Sequence, residues 1–525
     1  MKTDRPLPPR RGRPPQTAAA ARTIVRRPAA PDVSPDDVYL RLAAVAVFGV
    51  TLLRLFWLAA GTTDLYPDEA QYWLWSRTPD FGYYSKPPLV AWIIAATTLF
   101  AGDEPFGIRL AAPFLHAGTA LVILAVGRRL YDARTGCWSA VAYVTLPAVS
   151  ISAGIISTDV PLLLCWAVAL YAFIRAREED GAGAAAAWRW WIAVGVAAGV
   201  GLLAKYAMAY WLLSALIFVL AFREERRHLP RLLGATALAL AIYSPNFFWN
   251  LSHRFVSYAH TEANANLGGP LFHPTAFLEF FGSQFGVFGP VFFGSLIVVA
   301  ATARRSLAGR REQLLAVFAL PTLAMMLIVA FLSRAQPNWS APTYVSAVVL
   351  VVAFLLRHGG PALVSGSVAL HVAAAVLLLD AREIAGALHV TLPAKYEPLH
   401  RLRGWAPLGR SVSMQLAEHP GAVLVVDGRE DIAALIYYVR PHPFDAVEWN
   451  PDGGVHDHYE MTSDLDRYRG QADQEFLFVS RDQTAQSLAP YFDAVQSVGH
   501  VMIPLGPDRA RRYSVFDLKG FKGYR

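Results

Sequence analysis

Between residues 62 and 92 the chain gathers an adjacent pair of carboxylates, a lysine and a ring of aromatic side chains. Asp68 and Glu69 are adjacent. Tyr66, Tyr72, Trp73, Trp75, Tyr83, Tyr84 and Trp92 surround them, and Lys86 is fixed in place by Pro87 and Pro88. A carboxylate within hydrogen-bond reach of a hydroxyl can accept its proton as a new bond forms. A nearby ammonium can neutralise a phosphate leaving group as its charge develops. The plainer account is an interfacial belt, where Trp and Tyr collect at a membrane surface and charges meet water.

Other polar residues interrupt apolar surroundings. Lys205 divides two apolar runs in LLAKYAMAYW; a lysine within a membrane segment is a functional candidate, here for a phosphate, although a lysine at a turn can also snorkel to the interface. Arg109, just before an apolar run, has the same two readings. The loop 248–284 carries His253, Arg254, His260, Glu262 and His273. Its histidines and Glu262 have ligand types that zinc accepts; the more ordinary account is a loop over a groove, with Arg254 and His253 near phosphate or sugar. In QPNW, Pro337 breaks a helix, and Asn338 and Trp339 offer an amide and a stacking ring to a sugar.

The elements that must position these groups follow from composition. Of 525 residues, 54% are hydrophobic and 17% charged, and mean hydropathy is +0.33, which is too apolar for a wholly soluble chain. Cys137 and Cys165 both lie in apolar runs, which excludes a disulfide scaffold and a cysteine-rich metal site. The net charge of +7 is explained by membrane topology and calls for no nucleic acid. Residues 1–38, rich in Pro, Arg and Ala, are expected to be a disordered cytoplasmic leader. Residues 39–380 are expected to form a polytopic all-helical domain. Eleven spans are expected, at 39–60, 106–127, 135–153, 160–176, 188–204, 206–222, 231–248, 285–303, 313–332, 340–356 and 361–380; the shorter stretch 88–101 reads as an interfacial helix. With the N-terminus inside, the inner loops receive fifteen arginines and the outer loops six basic residues, as the positive-inside rule requires. Residues 381–525 then lie outside. GAVLVVDG (421–428) reads as a buried strand, 429–440 as a helix, and 476–480, 501–505 and 513–518 as further strands. This small α/β domain has no glycine-rich phosphate loop and no cysteine pair, so no independent chemistry is expected of it.

Five segments near outer helix ends carry a resemblance: YPDEAQYW (66–73), YYSKPPL (83–89), STDVPLL (157–163), SPNFFWN (244–250) and QPNWSAPTY (336–344). Together they resemble the GT-C glycosyltransferases, in the bacterial branch that includes protein O-mannosyltransferases and lipid A aminoarabinose transferases. The resemblance implies a bacterial inner-membrane enzyme that moves a sugar from a polyprenyl-phosphate donor to an acceptor at the outer face, inverting the anomeric centre by direct displacement. It implies Asp68 as the base with Glu69 supporting or sharing the role, and Lys86 as the contact to the donor phosphate. It also makes Asp159 the second acidic position, although Pro161 equally marks a helix N-terminus that Asp159 would cap. Lys205, Arg109 and Arg254 are then candidate phosphate ligands, and Tyr66, Tyr84, His253, Asn338 and Trp339 candidate sugar or acceptor contacts. Such a donor carries its own charged leaving group, so neither a metal nor another cofactor is expected. The expected partners are the donor, membrane lipids and a lipid A-like glycolipid or glycan acceptor. A protein hydroxyl, as in the O-mannosyltransferases, is the alternative acceptor. A transporter or flippase is the reading from a different class. It would cluster Lys205, Asp159 and Arg109 around a midplane cavity far from Asp68.

Overall fold

Ser34 starts the first spanning helix, Pro35–Ala59. Its hydroxyl accepts from the Asp37 N–H at 3.2 Å, Pro35 fills the first turn, and Asp36 and Asp37 suit the positive end of the helix dipole. The computed structural model describes residue 1 and residues 34–61, 63–179, 184–266 and 268–524. Of the leader expected over 1–38, residues 2–33 lie outside the described residues.

Six helices among the described residues are long and apolar enough to cross a membrane: Pro35–Ala59, Pro105–Leu130, Asp159–Glu178, Arg223–Ser252, Arg310–Leu332 and Gly360–Leu379. The other five expected stretches are helical too, but short or broken. Stretch 135–153 divides into Ala133–Thr145 and Pro147–Ser152, because Leu146 precedes a proline and turns extended at ψ 136°. Lys205, with φ −160°, separates Ala184–Ala204 from a single 3₁₀ turn and Ala209–Ala221. Pro274–Val287 and Pro290–Ala301 meet at 118°, where Gly289 takes φ +86° ahead of a proline. Thr343–His358 has 16 residues. The expected interfacial stretch is the helix Leu89–Ala101, which buries Val90, Ala91 and Ile94 and exposes Leu99 and Phe100.

The helical core is rich in rings. Phe173 meets Trp191, Trp211 and Phe218 edge-on at 5.7, 5.9 and 6.1 Å, the arrangement that aromatic quadrupoles favour.

After the helix Ala381–Ala387 the chain builds a five-stranded sheet. Its strands are β1 (Val423–Val426), β2 (Val447–Glu448), β3 (Glu475–Ser480), β4 (Phe492–Gly506) and β5 (Arg509–Phe521), in the order β2-β1-β3-β5-β4. β1 lies parallel to β2 and β3, while β5 runs antiparallel to β3 and β4. All four residues of β1 are buried, as their unbroken apolar run predicts for a covered parallel strand. Helix Arg429–Tyr438 follows β1 as expected; helix Trp405–Glu418 and β2 were not legible in the pattern. This domain shares one hydrophobic core with the segment after the first span. Trp73, Trp75, Tyr83 and Ile94 join Trp405, Ile432, Leu435 and Tyr437 in it. Trp73 meets Tyr437 edge-on at 4.9 Å, and Asp64 accepts from the Trp405 N–H at 2.8 Å. That packing sets the catalytic candidates against the C-terminal domain.

Candidate active site

Pro67 opens the helix Pro67–Arg77, so Asp68 and Glu69 fall in its first turn. Successive side chains on a helix diverge by about 100°, and the two carboxylates go different ways. Glu69 turns inward and is fully buried. Its Oε1 accepts from Arg109 Nε and from the Ile156 N–H, both at 2.9 Å; its Oε2 accepts from Arg109 Nη2 at 2.6 Å and from the Tyr66 N–H at 2.9 Å. Arg109 also donates to Thr63 Oγ1 at 3.0 Å and to the Asp64 carbonyl at 2.7 Å. Glu69 thus has its acceptor directions engaged within the protein, and Arg109, a candidate phosphate ligand, is bound to this turn.

Asp68 turns the other way and is open to solvent. Its Oδ1 accepts from Arg429 Nη1 at 2.8 Å, the two side chains each 35% exposed, and Arg429 also donates to Gln71 Oε1 at 2.7 Å. Arg429 is the first residue of helix Arg429–Tyr438 in the C-terminal domain. The domain expected to bring no chemistry therefore places a guanidinium on the candidate base. No sequence motif marks Arg429; only the proximity of its helix to the outer loop reveals it.

Lys86 stands within electrostatic reach of Asp68, Asp159, Lys205 and Arg429. Among the described residues its ammonium makes no hydrogen bond or ion pair. Burial, then Lys205, holds its pKa below the usual lysine value. The loop carrying it is pinned from the SPNFFWN segment. Asn246 Nδ2 donates to the Phe81 carbonyl and Trp249 Nε1 to Asp80 Oδ2, both at 2.7 Å, and Ser257 Oγ donates to the Tyr83 carbonyl at 2.7 Å. Gly82 lies so close to Trp249 that a Cβ there would stand 2.4 Å from the indole.

Asp159, the first residue of helix Asp159–Glu178, accepts from Lys205 Nζ at 2.7 Å through Oδ1 and from Asn338 Nδ2 at 2.9 Å through Oδ2. The helix break at Lys205 thus aims its ammonium at a carboxylate. Lys86, Lys205, Asp68, Asp159 and Arg429 make one mixed basin, with His260 beside it. Burial, then Lys86 and Arg429, pushes the His260 pKa down to about 4, which leaves the ring neutral at physiological pH. The remaining candidates lie around the basin. Tyr66 lies under the Arg401 guanidinium at 4.8 Å. Tyr84 donates to the Val455 carbonyl at 3.2 Å, and its ring meets His260 at 5.1 Å. His253 stacks on Trp249 at 3.9 Å, and Trp339 packs beside Phe280, Met326 and Ala330. Arg254 is exposed and takes φ +55°. Among the described residues, no three His, Cys, Asp or Glu side chains gather as a metal-ligand set; His260 pairs with Asn264 and His273 with the Pro270 carbonyl.

This arrangement has counterparts. Residues 85–249, from the Lys86 loop to Trp249, match the family described as dolichyl-phosphate-mannose-protein mannosyltransferase. Over 80% of its length the chain is 31% identical to the lipid A galacturonosyltransferase RgtD of Rhizobium johnstonii, covering 87% of that enzyme. The chain belongs to this family of membrane glycosyltransferases. An undecaprenyl phosphate-alpha-4-amino-4-deoxy-L-arabinose arabinosyl transferase of Pseudomonas fluorescens is 26% identical over 61% of the chain and 59% of its own length. Among solved structures, ArnT from Cupriavidus metallidurans bound to undecaprenyl phosphate matches 92% of the chain and 98% of its own, with TM-score 0.64 at 18% identity. The GT-C fold is therefore matched over 92% of the chain. In this GT-C glycosyltransferase the charged residues do not form the arrangement a transporter would require: Arg109 is bound to Glu69, while Lys205 and Asp159 share the electrostatic neighbourhood of Asp68 and Lys86.

Proposed function

We propose that this enzyme transfers a sugar from a polyprenyl-phosphate donor to a hydroxyl of lipid A or a related envelope glycolipid. The site works at the periplasmic face of the inner membrane, with the N-terminus in the cytoplasm. The observation that carries the reading is a half-buried carboxylate, Asp68, within electrostatic reach of Lys86, whose ammonium is unengaged among the described residues. In the reaction Asp68 takes the proton of the acceptor hydroxyl, whose oxygen attacks the anomeric carbon. The bond from that carbon to the donor phosphate oxygen breaks on the opposite face, and its electron pair leaves with the phosphate. Lys86 compensates the charge that accumulates there. Lys205, held by Asp159 and Asn338, supplies a second cation to the same basin. Backside displacement inverts the anomeric centre. Arg429 fixes the orientation of the Asp68 carboxylate so that its free oxygen faces the acceptor.

The similarity to RgtD supports a uronic acid as the first sugar to test and a glycolipid as the acceptor. The protein O-mannosyltransferase reading has only the family match over 85–249 behind it. The test uses the full-length protein in detergent with a polyprenyl-phosphate uronic acid and lipid A. Asp68→Asn should lower turnover by at least ~10²-fold, the scale of lost general-base catalysis, while the protein stays folded. Full activity in Asp68→Asn would remove Asp68 from the mechanism.

A further inference from the structure

A cavity of about 670 Å³ opens between the C-terminal sheet and the start of the helix Pro67–Arg77. Five arginines line it, Arg401, Arg481, Arg509, Arg511 and Arg512, against the carboxylates of Glu430 and Asp508. Three of the arginines are held in fixed poses. Arg401 donates to Glu430 at 2.8 Å and covers the Tyr66 ring. Arg481 binds Asp431 and the Tyr513 hydroxyl. Arg511 lies 3.5 Å over the Trp405 ring and donates to the Arg403 carbonyl. Arg509, Arg511 and Arg512 form no ion pair among the described residues. Arg511 is half-buried, and the carboxylate within its electrostatic reach, Asp431, is already bound by Arg481. Such an excess of like charge in a concave wall concentrates anions.

The cavity is lined by the chain neighbours of the candidate base and of its partner. Pro67 in its wall precedes Asp68 in the chain, and Glu430 follows Arg429, the residue that holds Asp68. The donor phosphate already has Lys86 and Lys205 in the basin described above. We propose that the arginine-lined cavity binds an oxyanion of the acceptor headgroup, a phosphate or a sugar carboxylate, while the acceptor hydroxyl faces Asp68. This inference rests on the functional reading above. Guanidinium forks match both oxyanions in bidentate geometry, and the volume accommodates a sugar ring together with its charged group.

The experiment measures binding of diphosphoryl lipid A to the full-length protein in detergent, beside steady-state transfer. In the Arg509→Ala/Arg512→Ala double variant, lipid A affinity should fall by ~10-fold or more, the scale of a lost charge-assisted contact. The acceptor KM should rise in parallel, with kcat and donor KM unchanged. Dephosphorylated lipid A should bind wild type as weakly as diphosphoryl lipid A binds the variant, and a charge reversal, Arg509→Glu, should weaken binding further. Both arginines are exposed, so the variants keep their fold. Equal affinity of wild type and variant for diphosphoryl lipid A would overturn the proposal. So would equal displacement by phosphatidylglycerol micelles, which would assign the cavity to bulk anionic lipid. Asp68→Asn should lose transfer and retain this binding. Transfer surviving in Asp68→Asn counts against the reaction assigned to the site, whereas unchanged binding in the arginine variants counts against the cavity alone.

Discussion

One step along a helix rotates a side chain by about 100°, and at Asp68 and Glu69 that rotation separates the proposed base from a buried ion pair. Glu69 and Arg109 are both buried and joined by two hydrogen bonds. Removing one charge from such a pair strands the other in a medium that solvates it poorly, at a cost of ~3–5 kcal/mol. Glu69→Gln should therefore lower the melting temperature and the yield of folded protein in detergent, whereas Asp68→Asn should leave the melting temperature near that of wild type. If Glu69→Gln melted like wild type and lost only turnover, the structural role would be wrong. Lys86 makes a second residue-scale prediction. Burial and Lys205 lower its pKa, so its ammonium loses its proton at a lower pH than a free lysine does. Donor binding should be complete below that lowered value and should be lost as pH rises through it. Lys86→Arg, whose guanidinium stays charged, should carry donor binding to higher pH; donor KM measured across the alkaline range decides it. The sequence made Asp68, Glu69 and Lys86 candidates because their types fit the chemistry. It could not divide their roles, because direction around a helix depends on which face the rest of the fold covers.

At the scale of elements, apolar runs found the helices, and local breakers explain where they stop. Pro147 and the Gly289-Pro290 pair interrupt runs that composition alone reads as continuous, while Lys205 breaks the chain where the sequence already divides two runs. A hydropathy window averages over such residues and passes over the breaks. One of the long helices also fastens the site. Asn246 and Trp249 sit near the end of helix Leu229–Ser252 and fasten the loop that presents Lys86. Gly82 is required there because the indole of Trp249 occupies the place of a Cβ. Gly82→Ala must push the loop or the ring aside. A displacement of about 1 Å at a reacting group can cost ~10²-fold. This variant should lose kcat/KM for the donor on that scale with little change in melting temperature. An unchanged donor kcat/KM would show that the loop tolerates the shift and that its pinning is incidental.

Over the whole molecule, the contact between Asp68 and Arg429 spans 361 residues of chain, and no periodicity or motif encodes such a pairing. The sequence did predict the helix that carries Arg429, from an apolar strand followed by an amphipathic run. What it lacked was the docking of that helix on Pro67–Arg77, which depends on Trp73, Tyr437 and Trp405 meeting in one core. The consequence is that the C-terminal domain contributes Arg429 to the candidate site as well as packing against it. Two substitutions separate these contributions. Arg429→Ala removes a half-exposed guanidinium and its hydrogen bonds to Asp68 and Gln71; kcat should fall by ~10-fold to ~100-fold, the worth of a charge-assisted hydrogen bond, with the melting temperature held. Trp405→Ala opens a hole in the shared core, where a buried tryptophan is worth ~3–5 kcal/mol; melting temperature and activity should fall together. Were Arg429→Ala to keep full kcat, the guanidinium would be a surface contact and Asp68 would need no orientation from outside the helical domain. A loss of kcat in Arg429→Ala with stability intact would instead make the two domains a single catalytic unit, in which the acceptor is received between the sheet and the helices and meets its base at their seam.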